Sequence, residues 1–96
     1  MLTFKLPTDI TVYTVNGIFE QFLALLEQSG SSIVFDLSAT EEIDGCGLQL
    51  LVYMDKETMK QRKSLSLVTP SEELIDSATL LHLEHALPFH IEGASQ

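Results

Sequence analysis

Residues 33–51 read IVFDLSATEEIDGCGLQLL. IVFDL is β-branched and almost continuously apolar, the composition of a central strand covered on both faces. SATEEID follows as a polar loop. From Gly45 to about Lys60 the apolar spacing becomes helical, with Leu48, Leu51, Val52 and Met59 on one side and Leu50 and Met54 widening that stripe. Asp44 stands where an N-cap belongs, since its carboxylate can accept the free N–H groups of a first turn. Gln49, Tyr53, Lys56 and Lys60 recur at i, i+4, i+7 and i+11 on the opposite side, which is expected in solvent.

The flanking segments extend this strand-to-helix unit. LTFKL alternates as a half-buried strand and Pro7 ends it; DITVYT repeats the alternation through Ile10 and Val12 and predicts a second strand. Ile18, Phe19, Phe22, Leu23, Leu25 and Leu26 then recur at helical spacing up to Glu27 or Gln28, with Thr14 or Asn16 as N-cap, and SGSS breaks that helix. SLSLV is another strand. TPSE predicts a helix start with Thr69 as N-cap, Pro70 at the first helical position and Glu72 closing a capping box; the helix runs to about Leu81. LEHALPFHI gives a turn and a short last strand, and EGASQ is a tail. Strands alternating with helices predict an α/β fold: right-handed crossovers and a mixed, largely parallel sheet of four to five strands covered by helices. The chain, residues 1–96, is expected to form one domain, because 96 residues bury one core and not two.

Charge narrows the function classes. Fourteen Asp and Glu against five Lys and Arg give a formal net charge of −9, which repels phosphate backbones and anionic lipid heads. Nucleic acid and membrane surfaces are therefore not the expected partners; a protein with a basic patch fits better. A single cysteine forms no internal disulfide and suits a reducing cytoplasm. MLTFKLPTD lacks the apolar stretch of a secretory signal, and no apolar run is long enough to span a bilayer.

Cys46, between Gly45 and Gly47, admits three readings. A nucleophile needs a base within hydrogen-bond reach, and nothing in the spacing of His82, His85 and His90 requires one to approach. A redox-sensing thiol gains from the positive end of a helix dipole but is opposed by the carboxylate of Asp44. The favoured reading is a small residue in a tight strand-to-helix corner. His82 and His85 share a helix face at i, i+3, with Glu84 between and His90 beyond, yet zinc needs three or four convergent ligands; surface histidines are expected and no metal site. Asp36 and Asp44 bracket the loop, and capping explains Asp44 without a carboxylate pair. No glycine-rich phosphate cradle is present, so no cofactor is expected.

The order of these segments resembles the STAS domain of bacterial anti-sigma factor antagonists and of the cytoplasmic tails of sulfate transporters. The resemblance covers roughly residues 3–89 and rests on the Asp-x-x-Gly-Leu corner, Asp44 to Leu48, and on the Asp-Leu-Ser step at Asp36 to Ser38. It implies a non-enzymatic, cytoplasmic protein-interaction module without cofactor. In the antagonists the residue before the corner glycine is a serine or threonine phosphorylated by a partner kinase that is also the anti-sigma factor. A phosphate there adds about two negative charges to the docking surface. Cys46 occupies that phosphoacceptor position here, so the resemblance implies a phosphorylation-independent binder of a kinase-like or chemotaxis-type signalling partner. Other readings are a cytoplasmic subunit of an ABC-type lipid transporter contacting its ATPase, and a thiol sensor using Cys46. The expected partner-binding residues are Ser38, Thr40, Asp44, Gly45, Cys46, Gly47, Gln49, Tyr53 and Lys56.

Overall fold

A computed structural model describes residues 2–28, 30–83 and 85–90, the last of these for its backbone alone. The elements run β1 (Leu2–Lys5), β2 (Asp9–Ile10), α1 (Val15–Gln28), β3 (Ser32–Asp36), β4 (Glu42–Ile43), α2 (Gly45–Lys60), β5 (Ser64–Val68), α3 (Glu72–Leu80) and β6 (Phe89–His90). β1, β3, β5 and β6 form one sheet in that order, and β2 pairs with β4 in a second, two-stranded sheet. Each described pairing is parallel, as the βαβ alternation requires.

The register sorts the sheet's two faces. Ile33 lies level with Leu65 and Phe35 with Leu67, and all four are buried. The ring of Phe22 meets Phe35 edge-on, 6.1 Å between centroids, so α1 covers this face. Ile18, Phe22 and Leu26 form the buried stripe of α1, and Leu48, Leu51, Met54 and Thr58 that of α2. Each large apolar side chain removed from water in this way contributes roughly 1.5–3 kcal/mol before entropy is counted.

The structure corrects several expectations. The strand read in DITVYT stops at Ile10, and Thr11 to Thr14 form a turn. Two threonines cause this: the Thr11 N–H donates to Thr14 Oγ1 at 2.9 Å, and the Val15 N–H donates to the Thr11 carbonyl at 3.0 Å. Side-chain hydroxyls capture backbone donors that a strand would have used. Thr14 stands at the expected N-cap position of α1, its carbonyl accepting from Ile18 N–H at 3.0 Å, but its hydroxyl accepts from Thr11 N–H rather than from a first-turn N–H. The loop SATEEID contains β4, whose two residues pair with Asp9 and Ile10.

Met59, expected in the core, is 62% exposed. It lies about 100° round the helix from Thr58, past the edge of the buried stripe. Thr58 is buried in its place and donates its hydroxyl to the Met54 carbonyl at 2.7 Å. Leu23, expected on the apolar face of α1, is 43% exposed. The third helix is capped by Ser71, whose Oγ accepts from Leu74 N–H at 3.1 Å, so the expected box of Thr69 and Glu72 is not formed. Thr69 adopts a left-handed backbone (φ 52°) and donates its hydroxyl to Asp36 Oδ1 at 2.8 Å.

Candidate functional site

Asp44 organises the corner. Its Oδ1 accepts from Gly47 N–H at 2.9 Å, the expected N-cap, and its Oδ2 accepts from Val12 N–H at 3.0 Å. One carboxylate therefore ties the start of α2 to the turn that launches α1. The donated N–H groups of Val12 and Gly47, in that order, hold its pKa below the ordinary 3.8. A carboxylate whose folded pKa is depressed stabilises the fold above its unfolded pKa and loses that contribution as pH falls through the folded value. Asp44→Ala should accordingly lower Tm by about 5 °C at pH 7. The difference from wild type should start to shrink below about pH 4, the value of an unfolded aspartate, and go on shrinking as pH falls toward the depressed folded value. Calorimetry at pH 7 and pH 2.5 checks this; a gap that widens in acid contradicts it.

Gly45 and Cys46 are exposed, whereas Gly47 is buried. A side chain built on Gly47 would run into the carbonyl oxygen of Ile10. Gly47 thus shapes the corner and offers no contact surface of its own. Thr40, expected on the binding surface, is 4% exposed and donates its hydroxyl to the Pro7 carbonyl at 2.8 Å. That hydroxyl is occupied in joining two loops. Ser38 is exposed, and its N–H donates to Asp36 Oδ1 at 2.9 Å. The Ser38 and Thr69 bonds lower the Asp36 pKa, so Asp36 is a local cap at the end of β3.

Gln49, Tyr53, Lys56 and Lys60 all reach solvent on α2, as their spacing predicts. Lys60 pairs with Glu57 at 3.0 Å, and that contact raises its pKa. The stripe has a wall that sequence reading missed. Val15, Asn16 and Phe19 of α1 face Cys46, Gln49, Leu50 and Tyr53 of α2 across an open groove of about 500 Å³. The Phe19 and Tyr53 rings meet at 5.5 Å and 56°. The period of Phe19 predicts a core residue; its place one turn from the polar Asn16 is the available signal that one flank of α1 stays open. His82 and His85 are exposed, and among the described residues no group of three His, Cys, Asp or Glu is placed to hold a metal ion. Glu84 and the His90 side chain lie outside the described residues.

The fold is that of known proteins. The structure of the anti-sigma factor antagonist SpoIIAA in its unphosphorylated form superposes with a TM-score of 0.72, covering 94% of this chain and 79% of that one at 15% identity. No curated protein sequence matches the chain. The STAS domain family model matches residues 1–93, a span that includes the Asp44–Leu48 corner and both walls of the groove. By that match over nearly its whole length, the chain belongs to the STAS domain family.

Proposed function

We propose that this chain is a non-enzymatic interaction module of bacterial signal transduction. It works in the cytoplasm and docks a kinase-like or chemotaxis-type signalling protein through its corner and the outer face of α2. The observation that carries the reading is the groove itself. It joins the exposed corner residue Cys46 to an aromatic pair, Phe19 and Tyr53, and to the amides of Asn16 and Gln49. Aromatic side chains flanked by polar groups are the composition of binding hot spots. Asn16, Cys46 and Gln49 supply the polar rim, Lys56 an exposed charge further along α2, Gly45 the clearance, and Asp44 and Gly47 the geometry. A net charge of −9 favours a partner with a basic face.

Cys46 makes the docking independent of phosphorylation, because a thiol offers a serine/threonine kinase no hydroxyl. Incubation with a co-purified kinase and ATP should leave the intact mass unchanged. A phosphate on the exposed Ser38 would restore regulation by another route and sink this part of the reading.

The docking surface is tested by titrating a partner captured from the native cell. Tyr53→Ala should weaken binding by about 1–2 kcal/mol, and Gln49→Arg should also weaken it. Gln49 is exposed, so its variant should keep its Tm, and Tyr53→Ala, which gives up only the half-covered ring contact with Phe19, should lower Tm by no more than a few degrees. Unaltered affinity in both variants places the interface elsewhere.

A further inference from the structure

The opposite flank of α1 carries a second groove, independent of the surface just described. β1 is an edge of the four-stranded sheet, and β3 is its neighbour among the described residues. Leu6 N–H donates to the Asp36 carbonyl at 2.9 Å, and Lys5 is paired with Asp36 in parallel register. Successive residues of a strand direct their backbone groups to alternate sides. Phe4 and Leu6 therefore bond toward β3, and Thr3 and Lys5 present their N–H and C=O groups to the outside. Both residues are exposed.

Beside this edge lies a cleft of about 490 Å³ whose walls include Phe4 and Lys5 of β1 and Gly17, Ile18 and Gln21 of α1. Gly17 is the telling residue. It occupies the first turn of a helix, where glycine is a poor former. Neither usual reason for a glycine applies, since its φ is not positive and a Cβ there would meet nothing within 4 Å. What the missing side chain does is leave the cleft open.

We propose that β1 is a strand-addition site, in which an extended segment of a partner protein pairs with Thr3 and Lys5 and lies in the cleft beneath Gly17. Alternation sets the segment's chemistry. The residue level with Phe4 points toward Ile18 and Gly17 and is apolar. Its neighbour points to the other sheet face, level with the exposed Lys5, whose cation lies between it and Asp36, and is a carboxylate. A second copy of this chain is the poorer occupant, because its own edge, Leu-Thr-Phe-Lys, brings a lysine and no carboxylate.

The test starts from a display library of random heptapeptides panned on the whole protein. Enriched sequences should alternate apolar residues with Asp or Glu. The strongest of them, made synthetically, should shift and protect from exchange the Thr3 and Lys5 amides in two-dimensional NMR. Gly17→Gln, whose Cβ has open space, puts a side chain beside the cleft and should weaken that peptide at least about tenfold while leaving Tm equal or higher. Lys5→Glu should weaken it too, and Tyr53→Ala should not. No enrichment, binding indifferent to Gly17→Gln, or peptides spaced as a helix would each overturn the proposal. So would a concentration-dependent dimer that Gly17→Gln dissociates, since it assigns the edge to a second copy.

Discussion

Gly47→Ala should destabilise the domain by about 3 kcal/mol, a large share of the margin of a chain this size. The first turn of α2 is pressed against β2, and a Cβ on Gly47 would overlap the Ile10 carbonyl oxygen. It would also lie 2.8 Å from both the Ile10 carbonyl carbon and Ile43 Cγ1. The obstacle is backbone, and it is held on two sides: Ile10 pairs with Ile43, and its carbonyl accepts from Asp44 N–H at 3.3 Å. It cannot swing away as a long side chain would. Alanine brings a helix-propensity gain of up to ~1 kcal/mol, which the overlap outweighs. Gly45→Ala is the control, because its Cβ meets nothing within 4 Å and it shares the same turn; its stability should equal or slightly exceed wild type. Urea unfolding of both variants, with the m-value compared, separates a stability change from a change in the unfolded state. A Gly47→Ala protein as stable as wild type would mean that α2 does not lie on β2 in this way.

What the sequence disclosed follows a physical division. β3, β5 and the long α2 were legible because their patterns are local: a continuous apolar run, or a period that holds for several turns. The Asp44 cap was legible for the same reason, its partner being three residues away. Its second bond, to Val12, spans 32 residues and left no local trace. The two-residue β4 exists only because β2 lies alongside it, so SATEEID alone reads as loop. At the other extreme, the alternating ITVYT is overridden by the hydroxyls of Thr11 and Thr14. In the site, the outer stripe of α2 was readable from spacing, whereas Thr40 was misplaced because burial in a loop depends on which loop it meets, here that of Pro7. The α1 wall was hidden for a similar reason. An apolar period shows that Phe19 faces inward or sideways, and only the position of α2 decides that its ring ends beside Tyr53.

That neighbour relation extends into the core and motivates the other large expected effect. Phe4 meets Phe35 at 5.6 Å, Phe35 meets Phe22 at 6.1 Å, Phe22 meets Phe19 at 6.2 Å, and Phe19 meets Tyr53 at 5.5 Å. Aromatic rings thus run from the sheet edge through α1 to the exposed face of α2. Phe22 is the middle of the series and is fully buried. Phe22→Ala should cost about 3–5 kcal/mol, from lost transfer energy and from the cavity left between α1 and β3. Phe22→Leu, which keeps most of the volume, should cost about 1 kcal/mol. The pair carries a functional expectation as well. With Phe22 gone, Phe19 loses the ring that backs it, and the groove wall beside Tyr53 is free to move. Partner affinity measured well below the unfolding midpoint should therefore fall in Phe22→Ala and hold in Phe22→Leu. A Phe22→Ala protein that loses less than about 1 kcal/mol would mean that its ring is not packed between helix and sheet. One that is strongly destabilised yet binds with wild-type affinity would sever the core from the docking surface, leaving Tyr53 to act without the support of α1.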